Sequence, residues 1–142
     1  AWELFQENIN HTLIADNTGG HLMQHGQVDL VIVGSDRTTR TGDVANKIGT
    51  YALSLAAKAH GVPMYVAAPA STFDKACPTG AEIPIENRED AEVLEMDGVD
   101  QLGQTQHVRI AAAGVSANNP AFDVTPFDNI TAIIDQSGVW SP

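Results

Sequence analysis

The sequence has 142 residues, with 7 Lys plus Arg against 18 Asp plus Glu and a formal net charge of −11. That length suits one domain, and 43% hydrophobic residues supply a core and exclude a disordered tail. The acidic balance excludes non-specific binding to nucleic acid or anionic membrane, but not a small anion held in a local basic pocket. Cys77 is the one cysteine, so no intrachain disulfide is possible and a reducing, cytoplasmic setting is expected. No run approaches the ~18 apolar residues of a membrane span. The chain opens Ala1-Trp2-Glu3-Leu4, with neither Met nor a signal peptide, which suggests that a part upstream is missing.

Residues 1–8 read as the end of an amphipathic helix. HTLIAD (11–16) predicts a strand closed by a turn, and TGGHLMQHG (18–26) a short helix. DLVIVGSD (29–36) is a continuous β-branched run, the pattern of a buried parallel strand. RTTRTG (37–42) reads as a polar loop. A long helix is expected next, with Asp43 as N-cap and Gly61 ending it, since Val44, Ile48, Tyr51, Leu55 and Ala59 keep helical spacing. Residues 63–69 predict another buried strand. This alternation of strand and helix predicts an α/β fold, a Rossmann-like parallel sheet with flanking helices. Residues 70–106 carry loop chemistry, and 82–100 hold eight acids against Arg88. Residues 107–114 read as a strand, 117–126 as irregular, and 127–136 as a last helix ended by Gly138.

In open parallel sheets, ligands bind beyond the carboxyl ends of the strands. The expected ends bring Asp16 and Asn17, then Gly34, Ser35 and Asp36, then Pro69, Ser71 and Thr72 to one edge. From spacing alone Asp16 reads as a turn cap, and Asp36 as either a cap or a site carboxylate. The segment 36–47 holds Arg37, Arg40 and Lys47, three of the seven positive charges. Asn46 and Lys47 fall in the first turn of the expected helix, where unpaired N–H groups and the helix dipole favour a phosphate. The glycine pattern fits neither a Walker A loop nor G-x-G-x-x-G, so no nucleotide cofactor is expected. His21 and His25 lack the Glu of H-E-x-x-H and a third ligand, so no metal site is expected. Cys77 reads as a plain loop cysteine.

The run VIVGSDRTTRTGDVANKIGTYALSLAAKAHGVPMYVAAPASTFD (31–74) resembles the core of the methylthioribose-1-phosphate isomerase family. IPIENR (83–88), NPAFDVTP (119–126) and ITAIIDQSGV (130–139) resemble three further family segments, in order. The family shares its fold with regulatory subunits of initiation factor 2B and with ribose-1,5-bisphosphate and 5-deoxyribose-1-phosphate isomerases. Its members are more than twice this length. The resemblance therefore implies that residues 1–142 are a C-terminal Rossmann-like domain lacking its first strand, with the N-terminal domain and the catalytic cysteine upstream, and that the piece alone is inactive. It implies that Asp36, in the VGSDR segment, is the catalytic acid and that Asn46 and Lys47 bind substrate. The implied reaction is aldose-to-ketose isomerisation of a 5-substituted ribose 1-phosphate in methionine salvage, by a homodimer without metal or organic cofactor. Alternatives are the 5-deoxyribose-1-phosphate or ribose-1,5-bisphosphate isomerase, or a non-catalytic regulatory subunit like those of initiation factor 2B.

Overall fold

The structure is a computed structural model and describes residues 1–140. Helix α1 (Trp2–Gln6) and helix α2 (Thr18–Gln24) match the two short helices expected near the start. The segment between them does not form the expected strand. Residues 11–16 join no sheet, and Leu13 is 83% exposed. An apolar run becomes a strand only when a neighbour satisfies its N–H and C=O groups, and no described strand lies against this one.

Strand β1 (Val31–Val33) forms where a buried strand is expected, with Val31 buried and Ile32 exposed. The next stretch departs from expectation. Arg37–Thr39 is strand β2 rather than loop, and Val44–Lys47 is strand β3 rather than the first turns of a helix. The helix itself, α3, runs Thr50–Ala59. Tertiary pairing overrides the helical spacing here. Val44 and Ala45 are almost wholly buried, and β3 forms ladders on both sides. Gly49 separates strand from helix at φ 102°, a left-handed conformation that favours glycine.

Strand β4 (Met64–Ala67) is as expected, and strand β5 (Phe73–Asp74) follows a 3-10 turn. The acidic stretch builds helix α4 (Ala91–Leu94) and strand β6 (Glu95–Val99), which pairs with strand β7 (Thr105–Arg109) as an exposed hairpin. Strand β8 (Phe122–Thr125) replaces the irregular segment. The expected last helix is a 3-10 turn at Phe127–Asn129 followed by strand β9 (Ala132–Asp135), and strand β10 (Gly138–Trp140) ends the described residues. A short apolar run such as ITAII fits a buried helix or a buried strand equally by periodicity, and here its burial between neighbours makes it a strand.

The strands form two four-stranded sheets. The first has the order β1-β4-β9-β10, with β1, β4 and β9 parallel and β10 antiparallel. Val31 lies beside Met64, and Val66 beside Ile133. The second sheet has the order β5-β2-β3-β8. The chain is thus a mixed α/β fold with a parallel core.

Because side chains alternate along a strand, Met64 and Val66 share one face of β4. That face is covered twice. Met23 of α2 and Ala57 of α3 pack on Val31 and Met64. Val44 of β3 packs on Val66 and Ile133. The opposite face is less covered, and Ile32 on it is 61% exposed. No described helix is long and apolar enough to cross a membrane.

Asp43 is not a helix cap. Its carboxylate accepts the N–H of Gly80 at 2.8 Å, the N–H of Phe127 at 3.0 Å and the hydroxyl of Thr41 at 2.9 Å. It thereby ties the entry of β3 to two distant loops. A Cβ on Gly80 would lie 2.6 Å from a methyl of Val124, so only glycine approaches this closely. Partial burial pushes the Asp43 pKa up, but the bonds from Gly80, Phe127 and Thr41 outweigh it and hold the carboxyl below its ordinary value. Asp43→Ala is expected to lower the unfolding free energy by about 2 kcal/mol, since it strands the N–H of buried Gly80. A depressed folded-state pKa stabilises above the unfolded value of about 4, and the contribution is lost as pH falls through the folded value. In urea unfolding, the gap between parent and variant should therefore be full at neutral pH and shrink in acid. Equal stability at neutral pH would contradict the role.

Candidate functional site

Asp36 sits just beyond the carboxyl end of β1, in an exposed loop. Its N–H donates to the carbonyl of Ala45 at 2.9 Å, which fixes the loop to β3. The hydroxyl of Ser35 in the loop lies 2.9 Å from that of Thr38 in β2. Asn46 is the next residue along β3. A Cβ on Gly34 would lie 3.8 Å from Asn46 Oδ1, so the Asn46 amide rests beside the backbone two residues before Asp36. Asn46 Nδ2 donates to Thr50 Oγ1 at 3.1 Å, and that hydroxyl donates to the carbonyl of Lys47 at 2.7 Å. Asp36 and Asn46, singled out in the sequence, are therefore neighbours at one sheet edge.

Lys47 ends β3, and its exposed side chain has no ion-pair partner among the described residues. It lines a cavity of about 490 Å³ together with Asp16, Asn17 and the start of α3. Consecutive strand residues point to opposite sides, which explains why Asn46 faces the Asp36 loop while Lys47 reaches the cavity. Asp36 is not among the residues lining that cavity. Asp16, which reads as a mere turn cap in the sequence, is.

The start of α3 is not the open anion site that the sequence suggests. The helix begins at Thr50, not beside Asp43, and the N–H groups of Gly49, just before it, and of Tyr51, in its first turn, are occupied. Asp123 of β8 lies directly opposite Asn46 in the ladder. Its carboxylate accepts the N–H of Gly49 at 2.7 Å and of Tyr51 at 2.9 Å. This is an N-cap supplied by a distant strand. Sequence reasoning missed it because Pro120 and Pro126 make 117–126 read as irregular despite the alternation of Phe122–Thr125, and a cap in trans leaves no local signal.

The three cations of residues 36–47 do not converge. Arg37 donates to Asp74 Oδ2 at 3.2 Å. Arg40 lines a second cavity, of about 390 Å³, with Lys75, Phe73 and Trp140. Only Lys47 faces the first cavity. His25 Nδ1 contacts the carbonyl of His21 at 2.8 Å, a bond within the last turn of α2. No three His, Cys, Asp or Glu side chains gather among the described residues as a metal would require. Cys77 is buried against Ala45, Ile83 and Val124, and its thiol contacts the carbonyl of Thr79 at 3.5 Å.

The model of the Initiation factor 2 subunit family (IF-2B) matches residues 1–142. A methylthioribose-1-phosphate isomerase of Cereibacter sphaeroides is 56% identical over 140 residues, which are 98% of this chain and 38% of that protein. One of Rhizobium meliloti is 54% identical over 143 residues, covering 100% of this chain and 39% of the relative. The chain thus spans well under half the length of the curated relatives it matches. The crystal structure of 5-methylthioribose 1-phosphate isomerase from Pyrococcus horikoshii superposes with a TM-score of 0.88 at 46% identity, covering 100% of this chain and 37% of that one. The crystal structure of the translation initiation factor eIF-2B, subunit delta, from A. fulgidus gives a TM-score of 0.85 at 45% identity, with 99% and 38% covered.

An unpaired ammonium in a concave cavity is suited to an anion. Lys47→Ala is expected to weaken binding of inorganic phosphate at least about tenfold in titration calorimetry, the size of one lost charge-assisted contact. Equal affinity in parent and variant would remove Lys47 from the site.

Proposed function

The chain belongs to the Initiation factor 2 subunit family, and from that premise we propose that it is the C-terminal part of an enzyme that isomerises 5-methylthioribose 1-phosphate to 5-methylthioribulose 1-phosphate. The observation that carries this reading is about 55% identity, along essentially the whole chain, to proteins named methylthioribose-1-phosphate isomerase. On the same reading, residues 1–142 form a Rossmann-like domain that lacks its first strand. The unpaired, exposed 11–16 segment and the exposed Ile32 support that part, because both offer apolar surface to a further segment. The enzyme is then a cytoplasmic homodimer of methionine salvage that uses no metal or organic cofactor.

The chemistry follows from the substrate. Phosphate on the anomeric oxygen prevents the sugar from opening as a free hemiacetal. An acid must protonate the ring oxygen, and hydrogen must then move from C2 to C1. Asp36 is the acid in this reading, held at the sheet edge by its bond to β3. Lys47 supplies positive charge to the substrate phosphate, and the Asn46 amide offers neutral hydrogen-bonding groups beside Asp36. Asp36 lies in an open loop here, so on this reading the rest of the enzyme closes over it and excludes water.

The likeness to the A. fulgidus subunit supports a second reading, a regulatory subunit without catalysis. Asp36 distinguishes the two. Asp36→Asn in the full-length protein should cut turnover of methylthioribose 1-phosphate by about a thousandfold, within the range for loss of a general acid, and leave thermal unfolding unchanged. Residues 1–142 alone serve as the blank, since the reading leaves them without turnover. Near-normal turnover of Asp36→Asn would sink the catalytic assignment.

A further inference from the structure

We propose that Asp123 is a positioning residue for substrate binding, acting through the turn between β3 and α3. The inference rests on reading Asn46 and Lys47 as the substrate-binding pair. Three observations carry it. Asp123 stands opposite Asn46 in the β3–β8 ladder, so the strand that carries the pair and the strand that carries the clamp move as one. Its two carboxylate oxygens are divided between the N–H groups of Gly49 and Tyr51, on either side of Thr50. Thr50 in turn accepts from Asn46 Nδ2 and donates to the Lys47 carbonyl. One carboxylate thus fixes the turn whose central hydroxyl touches both members of the pair.

The clamp also decides how an anion is held. With the N–H groups of Gly49 and Tyr51 taken by Asp123, a phosphate in the neighbouring cavity cannot use them. The Lys47 ammonium is the one positive charge among the described residues lining that cavity. The direction of that side chain is then set by a turn that the clamp must hold, since Gly49 at φ 102° restricts its own backbone little. A looser turn would spread Lys47 over several positions and weaken the ground-state complex. Asp36, on a different loop, would keep its place.

The test is steady-state kinetics of the full-length protein, with inorganic phosphate as a competitive inhibitor. Asp123→Ala is expected to raise both KM and the phosphate inhibition constant about tenfold, with kcat within about threefold. Asp123→Asn keeps one acceptor oxygen and should raise both about threefold. Gly49→Ala loosens the same turn from the other side. Its added methyl meets nothing within 4 Å, so only the backbone conformation is strained, and the same rise in KM is expected. If Asp123→Ala fails to fold, the Asn and Gly49 variants decide. Unchanged KM and inhibition constant in the folded variants would overturn the proposal, provided Lys47→Ala raises both. A fall in kcat at constant KM would overturn it too. If Lys47→Ala also leaves both unchanged, the reading of the site itself fails, and the inference falls with it.

Discussion

Two carboxylates hold strand β3 at its two ends, and both accept backbone N–H groups. Asp43 at the entry binds Gly80 and Phe127, and Asp123 at the exit binds Gly49 and Tyr51. Between them β3 pairs with β2 on one side and β8 on the other, and Val44 is buried against the parallel sheet. Everything assigned to the site hangs on that strand. Asn46 and Lys47 are its last residues, and the Asp36 loop is bonded to Ala45 within it. Charge-assisted bonds to backbone amides are stronger than neutral ones, and they fix direction as well as distance. A strand of four residues has few ladder bonds of its own, so its anchors determine where its end lies.

Much of the parallel core is legible from the sequence. VIVG and MYVA are continuous apolar runs flanked by turn residues, and each becomes a parallel strand. The carboxyl-end rule then brings Asp36 to one edge with Asp16 and Asn17, and the family resemblance singles it out. The failures have a common physical source. VANK follows helical spacing and ITAII is ambiguous by length, and each becomes a strand because a partner strand is present in space. Nothing in the local sequence announces the partner. The same is true of Asp123, whose value lies entirely in where β8 is laid down.

The expected basic pocket shows the limit of counting charges along the chain. Arg37, Arg40 and Lys47 are close in sequence, and the β2–β3 turn sends them to three different surroundings. One ammonium remains for the cavity that also holds Asp16 and Asn17. On the proposed function, that single cation suits a monophosphate of a neutral sugar better than a bisphosphate. Asp36 does not line the cavity that Lys47 faces, although its loop is bonded to the strand that ends at Lys47.

The central claim is that this chain is part of a sugar-phosphate isomerase selective for one phosphate. It is tested most directly by nuclear magnetic resonance of the product formed by the full-length protein from methylthioribose 1-phosphate, beside its 5-deoxy and 5-phospho analogues. The account predicts conversion to the 2-ketose 1-phosphate, with turnover of the bisphosphate lower by at least about tenfold, as one uncompensated charge requires. No ketose from any of the three, or a preference for the bisphosphate, would contradict it.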